Sequence, residues 1–203
     1  MDIMSTPESA VVSLAEYLEM ELHAETRHEY VNGRIYAMSP GASRGHYRIG
    51  MNLLRALLIQ TDGRRCSIFT GDARVKVDPT GMYTYPDISA LCGEPRFETF
   101  KGIDTVLNPS VIIEVLSRTT ESYDRGDKFE HYRRLESLQE YVLVSQHRMR
   151  VEQFVRDGAH WQMSDLTDPQ ARLRLAPIGC EIALDVIYEG VELPDIEDAR
   201  WPR

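Results

Sequence analysis

The sequence has few cysteines, no long apolar run and a deficit of positive charge, and each of these features argues against certain classes of protein. Its three cysteines, Cys66, Cys92 and Cys180, lie far apart and show no CxxC spacing. This rules out a recognisable zinc knuckle and is typical of a reducing cytosol. No apolar run approaches the roughly 18 residues that a membrane helix needs, and the opening MDIMSTPESA lacks a basic-then-apolar signal pattern. We therefore expect a cytoplasmic protein with no membrane segment.

Positive charge is scarce overall but concentrated in one segment. The formal net charge is −9, which on its own argues against a nucleic-acid partner. Residues 1–29 carry a net charge of −6 and residues 181–203 carry −5, whereas residues 44–76 carry +5. A local basic face attracts phosphate groups within roughly 8–10 Å, the range that screening leaves. An ordinary solvated helix face has the same pattern, and the sequence leaves both interpretations open.

Length and composition indicate a single α/β domain over residues 1–203. A chain with 42% hydrophobic and 27% charged residues buries a substantial core at this length without disulfide bonds. Apolar spacing predicts helices over 13–22, 44–60 and 126–135, and a helical turn near 185–188. Apolar runs predict strands over 66–70, 73–77, 87–92, 111–116, 140–145, 150–155 and 159–164. We expect the stretch between Cys92 and Asn108 to be irregular.

Local signals fix the ends of several of these elements. Ser13 begins a capping box with Glu16, and Ser43 is a plausible N-cap of the second helix. The segment RHEYVNGRIYAM predicts an N-terminal β-hairpin, because Asn32-Gly33 is the pair best suited to a type I′ turn. Helices on either side of a mixed central sheet make an α/β domain.

Two acidic residues stand on strands that are otherwise apolar. Glu114 interrupts the run VIIEVL, and Asp87 begins the strand DISALC. An ionised carboxylate in a dry strand is unfavourable unless an arginine, a proton or a metal ion pairs with it. If the two strands are neighbours, both carboxylates converge on one cation. Mg²⁺ suits such a site, because it prefers oxygen ligands and needs only one or two carboxylates.

A lysine follows the Glu114 strand on the predicted helix. Lys128 is the only lysine between Lys101 and the C-terminus. Beside a metal, its ammonium group would orient water and stabilise the charge that develops on a phosphate. The alternative is an ordinary surface pair with Asp124, four residues earlier on the same helix.

Pro86-Asp87 followed by Glu114-x-Leu116 resembles the signature of the PD-(D/E)XK nuclease superfamily, which has a restriction-endonuclease-like fold. Four longer stretches in order, HEYVNGRIYAMSP, YPDISALCG, IIEVLSRTTESYDRGDKFEHYRR and SLQEYVLV, resemble the Uma family. This is a large bacterial group named as restriction endonucleases and long catalogued as a domain of unknown function. The resemblance covers about residues 13–190, before an acidic tail at 191–203. It implies a restriction-endonuclease-like mixed β-sheet flanked by helices.

The resemblance also implies an activity and a ligand set. The protein would be a Mg²⁺-dependent endonuclease that hydrolyses double-stranded DNA, with Mn²⁺ as a substitute ion. Asp87, Glu114 and the backbone carbonyl of Val115 would bind the metal. The superfamily places its lysine two positions after the acid, where this chain has Leu116, and the resemblance implies that Lys128 replaces it. Cutting both strands calls for two sites, so family analogy implies a homodimer.

Three further residues are site candidates, each with a simpler explanation beside it. In the superfamily an N-terminal acid often joins the site, and Glu29 matches its position, although it also fits a hairpin charge paired with Arg34. His46 lies in the first turn of a helix, where it would contact phosphate or position water, or act as a structural hydrogen-bonder. Asp72 is either a supporting acid behind the site or a turn former.

Three arginines are candidates for substrate contact. Arg44 and Arg48 belong to the basic segment on the second helix, and Arg125 lies just before Lys128. Their charge would bind the phosphates of DNA.

Two other functions compete with the nuclease interpretation. The first is a nuclease-fold protein without cleavage activity that acts as a DNA-binding or regulatory module. The retained Asp87, Glu114 and Lys128 favour the enzyme, whereas the acidic net charge and Leu116 favour the binding module. The second is a glycosidase that uses the two carboxylates as acid and nucleophile. It leaves Lys128 unexplained, and we discount it.

Overall fold

The structure of the protein is a computed structural model that describes residues 11–38 and 41–194. The N-terminal decapeptide and most of the predicted acidic tail lie outside these residues. The helices are α1 (Leu14–His23), α2 (Arg44–Thr61), α3 (Glu121–Arg125), α4 (Asp127–Tyr132) and α5 (Leu184–Ile187). The strands are β1 (His28–Val31), β2 (Arg34–Ala37), β3 (Cys66–Thr70), β4 (Arg74–Val77), β5 (Met82–Thr84), β6 (Ile88–Cys92), β7 (Phe97–Phe100), β8 (Ile103–Val106), β9 (Val111–Leu116), β10 (Glu140–Ser145), β11 (Val151–Asp157), β12 (His160–Leu166), β13 (Arg172–Leu175) and β14 (Cys180–Ala183).

The strands form two six-stranded sheets and one small hairpin. The first sheet has the order β2-β1-β5-β4-β8-β7, and the central sheet has the order β12-β11-β10-β9-β6-β3. Strands β9 and β10 run parallel, as do β4 and β8, while the other pairs are antiparallel. The sheets are therefore mixed, as the sequence predicts.

Both faces of the central sheet are covered. On one face its side chains form a core with α2, α5 and the β13–β14 hairpin, including Ile49, Leu53 and Ile187. On the other face they pack with the first sheet and α4, including Val75 and Tyr132. Burying apolar surface on both faces is the main favourable term in such a layered fold. The α/β class with a mixed sheet between helices is confirmed.

Strand β9 is buried along its whole length, and its side chains alternate between the two cores. Its odd-numbered residues pack toward α2. The even-numbered Ile112 and Leu116 pack toward α4. Glu114 lies between them in the strand, so its carboxylate points to the face that carries α4.

The predicted hairpin and caps are confirmed. Asn32 and Gly33 have φ values of 49° and 83°, which are the left-handed conformations that a type I′ turn requires. Ser13 and Glu16 form the reciprocal capping box at the start of α1. The Ser43 side chain accepts a hydrogen bond from the backbone of His46 at the start of α2.

Three expectations about local structure are wrong. The helix predicted from residue 126 begins earlier, at Glu121, and breaks at Gly126 into α3 and α4, because the backbone of Gly126 is not helical. The stretch expected to be irregular contains the β7–β8 hairpin, and β5 is a further strand. These strands have only three or four residues, which is too short for an alternation of apolar and polar residues to be recognised in the sequence.

The cysteines do not all stay apart as expected. Cys66 and Cys92 oppose each other on the antiparallel strands β3 and β6 and form a disulfide. Cys180 is buried with a free thiol. Residues far apart in sequence become neighbours through strand pairing, which the spacing of the cysteines could not reveal.

Within the described residues, no helix has both the length and the apolar character to cross a bilayer.

Candidate active site

The two predicted acids lie on neighbouring strands. Asp87 immediately precedes β6, which pairs antiparallel with β9, the strand of Glu114. The Asp87 backbone N–H donates to Glu114 Oε2 at 3.2 Å, and the Val115 N–H donates to Asp87 Oδ2 at 2.7 Å. Each carboxylate thus accepts a hydrogen bond from the backbone beside the other carboxylate. The two strands are neighbours, which is the condition that the sequence analysis set for a shared cation site.

Lys128 on α4 lies among three carboxylates. Its Nζ is 2.9 Å from Glu114 Oε1, 3.1 Å from Glu29 Oε1 and 3.5 Å from Asp124 Oδ1. All four residues are buried. The expected pair with Asp124 therefore exists, but it is not a solvated surface pair. We call Glu29, Asp87, Glu114, Asp124 and Lys128 the acidic cluster.

Glu29 belongs to this cluster and is not a hairpin surface charge. Its cross-strand partner in the β1–β2 hairpin is Tyr36, whereas Arg34 stands opposite Val31. The side chain reaches Lys128 instead. The alternative pairing with Arg34 is therefore wrong, because strand alternation turns Glu29 into the interior.

Hydroxyl groups complete the cluster through contacts with the acids that the sequence analysis did not predict. Tyr132 donates to Glu114 Oε1 at 3.1 Å, Thr84 to Glu29 Oε1 at 2.5 Å and Tyr123 to Glu29 Oε2 at 2.9 Å. One signal was available, since Tyr132 follows Lys128 by four residues and so shares its helix face. Thr84 had none, because β5 was not predicted.

The electrostatics of the cluster follow from burial and crowding. Burial, together with the charges of Asp124 and Asp87, raises the pKa of Glu114 to about 8, against the opposing charge of Lys128. Burial also works to raise the pKa of Glu29, but Lys128 and the hydroxyl donors outweigh it and lower that pKa. Burial works to lower the pKa of Lys128, and the charges around it, Glu114 foremost, raise it well above its usual value. Burial raises the pKa of Asp124 as well. The ammonium thus stays charged, and Glu114 and Asp124 hold a proton more readily than ordinary carboxyl groups do.

A pocket of about 850 Å³ opens onto the cluster. It is lined by Asp87, Glu114, Val115, Asp124, Lys128 and His46, among others. His46 Nε2 lies 3.3 Å from Asp87 Oδ2. Burial works to lower the pKa of His46, but the hydrogen bond to Asp87 and nearby negative charge outweigh it and raise that pKa, as does the backbone of Val115.

The remaining predicted residues lie at or beyond the edge of the pocket. Asp72 is at its mouth in an exposed turn, where Arg27 is 3.6 Å away. This geometry fits a turn former and not a supporting acid behind the site. Arg44 and Arg48 are exposed on α2 and do not line the pocket. Arg125 does not line it either, because its guanidinium pairs with Glu121 and Glu152.

The pocket lining includes polar residues that the sequence analysis did not single out, among them Arg118, Gln146 and His147. Arg118 lies in the loop that follows β9, and the other two follow β10. Because β9 and β10 are parallel neighbours, both strands end at the same edge of the sheet. That edge could have been inferred only from the pairing of these strands.

The oxygen atoms at the pocket suit a hard cation with few protein ligands. Asp87 Oδ1 accepts no hydrogen bond from the residues that the structure describes, and Glu114 Oε2 accepts one. Val115 follows Glu114 in the strand, and its backbone N–H donates to the Asp87 carboxylate. Across residues 11–38 and 41–194, no set of three His, Cys, Asp or Glu side chains has the arrangement of a metal cluster. Mg²⁺ needs only one or two carboxylates and keeps its own waters, so the residues present fit it.

The sequence and the fold are similar to those of known proteins. A family model described as "Putative restriction endonuclease", Uma2, matches residues 14–186. Two uncharacterised proteins of Synechocystis sp. are similar in sequence. One, slr1290, is 36% identical over 181 residues, covering 89% of this chain and 93% of that protein. The other, sll1609, is 34% identical over 175 residues, covering 86% and 98%.

A solved structure shares the fold. The crystal structure of a "putative nuclease belonging to DUF820" from Anabaena variabilis superposes with a TM-score of 0.71 at 17% identity. It covers 87% of this chain and 97% of that one. With a family model matching most of its length, the chain belongs to the Uma2 family.

Proposed function

We propose that the protein is a Mg²⁺-dependent nuclease that hydrolyses phosphodiester bonds of double-stranded DNA. The observation that carries the proposal is the arrangement of Asp87, Glu114 and Lys128 at one open pocket. The family description and the name of the Anabaena variabilis protein, both of which specify a nuclease, support it.

Asp87, Glu114 and the Val115 carbonyl would hold the metal ion. When bound, the ion supplies Lewis-acid polarisation of the phosphate and a water of lowered pKa. Lys128 would stabilise the negative charge that develops on the phosphate, since its ammonium is fixed 2.9 Å from Glu114. Glu29 holds Lys128 in place from the other side. His46 orients the Asp87 carboxylate from 3.3 Å.

Metal binding and cleavage together test this proposal. We expect isothermal titration with Mn²⁺ to show binding in the wild type that Asp87→Asn and Glu114→Gln each lose. Glu152→Gln is the matched control, because Glu152 is a buried strand glutamate that does not line the pocket. With Mg²⁺, the wild type and the control should cut a DNA duplex, and the two site variants should not.

Each failure has a distinct meaning. Equal Mn²⁺ binding by all four proteins would contradict the metal site. Binding of metal and DNA without any cleavage would favour a non-cleaving DNA-binding module. The homodimer stays a prediction, and light scattering of the purified protein with and without duplex DNA tests it.

A further inference from the structure

Arg118 lines the pocket but takes no part in the acidic cluster. It lies in the polar loop that follows β9, four residues after Glu114, and its side chain is exposed. Within the described part of the chain, its guanidinium forms neither an ion pair nor a hydrogen bond. It differs in this from Arg125 and Arg150, whose guanidinium groups are held by carboxylates.

His147 lies at the same pocket and also lacks a partner. Its Nε2 is buried and forms no hydrogen bond with the described residues. Buried polar atoms are almost always paired, so this nitrogen indicates a missing hydrogen-bond partner. Burial and then the positive charge of Arg118 lower the pKa of His147. The imidazole is therefore neutral near Arg118, and a neutral imidazole donates one N–H, which lies on Nε2 in one of its two tautomers.

Gln146 holds this part of the pocket together. Its Nε2 donates to the Leu116 carbonyl at 2.9 Å, and its Oε1 accepts a short hydrogen bond from the Ser43 hydroxyl. The end of β9, the end of β10 and the start of α2 are thus joined by one side chain. Arg118 and His147 follow the first two of these ends, so the sheet edge sets their common position.

The charge of the pocket explains why such a pair is needed. The acidic cluster holds four carboxylates against one lysine, and this excess repels the phosphates of a DNA strand. A bound metal would offset part of this excess and make direct contact with one phosphate only. A neighbouring phosphate needs a cation of its own, and arginine binds phosphate oxygens through several N–H donors at once.

We propose that Arg118 and His147 form a subsite for a phosphate of the DNA strand adjacent to the one that is hydrolysed. The Arg118 guanidinium neutralises this phosphate, and the His147 Nε2–H donates a hydrogen bond to it. This assignment rests on the proposed function, because it presupposes a DNA strand at the acidic cluster. It moves the main substrate contact from Arg44, Arg48 and Arg125 to Arg118.

Binding of a fluorescent DNA duplex, followed by anisotropy in metal-free buffer, tests the subsite without cleavage. Arg118→Ala should weaken binding about 10-fold or more, the effect of losing a charged hydrogen bond. It should also reduce the slope of log Kd against log salt by about one. Arg174→Ala is the matched control, since Arg174 is an exposed arginine away from the pocket, and it should leave both quantities unchanged.

His147 and the DNA provide two further arms. His147→Ala should weaken binding less than Arg118→Ala, and His147→Gln, which keeps an N–H donor, should bind better than His147→Ala. A duplex with a single neutral methylphosphonate, moved along one strand, should bind the wild type weakly at one linkage. At that linkage the Arg118→Ala variant should show no further loss.

The outcomes separate the subsite from the proposed function. Wild-type affinity and salt slope in Arg118→Ala would overturn the subsite, even if the enzyme cuts DNA. A wild type that binds but never cuts with Mg²⁺ would overturn the nuclease proposal and leave the Arg118 result standing. A wild type that binds no DNA would overturn both.

Discussion

Two glutamates of the central sheet, Glu114 on β9 and Glu152 on β11, are both buried and both held by cations. They differ in what surrounds them. Glu152 is enclosed by Arg125 and Arg150, which reach further carboxylates at the sheet surface. Glu114 shares one lysine with two other acids and faces an open pocket.

The difference teaches what a buried acid indicates. Around Glu152 the charges of two arginines nearly balance three carboxylates, those of Glu121, Glu152 and Asp165. Around Glu114 the carboxyl groups of four acids face one lysine, so acid exceeds base beside the open pocket. A buried strand glutamate is therefore not by itself a functional signal. It becomes one when acid exceeds base beside a pocket.

The largest effect is expected from removing the lysine. Lys128→Met leaves three buried carboxylates without their shared cation, which should lower the free energy of unfolding by about 3–5 kcal/mol. Arg125→Met should have a smaller effect, because Glu152 keeps Arg150. Urea unfolding followed by circular dichroism in metal-free buffer measures both.

The losses of unfolding free energy in Lys128→Met and Arg125→Met show which of the two clusters contributes more to stability. Similar losses in both variants would mean that the clusters are equally structural. Cleavage assays on Lys128→Met must be made at a temperature where the variant is folded, because a loss of activity from unfolding would say nothing about catalysis.

A smaller effect, of opposite sign in the two clusters, is expected from neutralising each glutamate. The pKa of Glu114 is raised to about 8, so the folded state binds its proton more tightly than the unfolded chain does. Stability from this group is therefore lost as pH rises from the unfolded pKa of 4.5 toward the folded one. Glu114→Gln removes this loss and should be more stable than the wild type at pH 8 without metal, by a few kcal/mol at most, since one pKa unit is about 1.4 kcal/mol.

The same substitution in the other cluster should lower stability. Glu152→Gln leaves Arg125 and Arg150 beside a neutral side chain, and breaking charged hydrogen bonds in a partly buried site costs about 1–3 kcal/mol. Thermal unfolding at pH 5 and pH 8 provides the measurement. If Glu114→Gln is less stable than the wild type at both pH values, the carboxylate is a stabilising partner of Lys128 and not a strained one.

The sequence predicted the parts of the site that a buried strand reveals. Glu114 stood out because a charge in an apolar run needs a partner, Asp87 because it begins a second apolar strand, and Lys128 because it is the one lysine after Lys101 and follows the Glu114 strand. The acids of the cluster that lie on β1 and α3 were harder to place. Glu29 was open between two interpretations, and Asp124 entered only as the partner in an alternative surface pair with Lys128, because nothing in a short hairpin or a helix end shows which side faces the core.

The polar pocket wall could not be predicted, because it depends on strand pairing. Arg118 and His147 are 29 positions apart, and only the parallel alignment of Leu116 with Ser145 brings their loops to one edge. The arginines of α2 show a different limit of sequence reasoning. Helical spacing shows which residues are exposed, but it does not tell whether the exposed face borders a site.

The smallest effect is expected on that exposed face, which gives a baseline for both buried clusters. Arg44→Glu with Arg48→Glu should change the free energy of unfolding by less than about 0.5 kcal/mol, as exposed substitutions usually do. It should weaken DNA binding modestly and flatten its salt dependence, because Arg44 follows Ser43 and Arg48 lies two residues after His46, and both Ser43 and His46 line the pocket. Anisotropy titrations of this variant and of Arg118→Ala at several salt concentrations compare their DNA affinities and salt slopes.

An unchanged salt slope would show that the basic segment is a solvated face and that DNA lies elsewhere. A loss larger than that of Arg118→Ala would place the main DNA contact on α2, as the distribution of charge along the sequence first suggested.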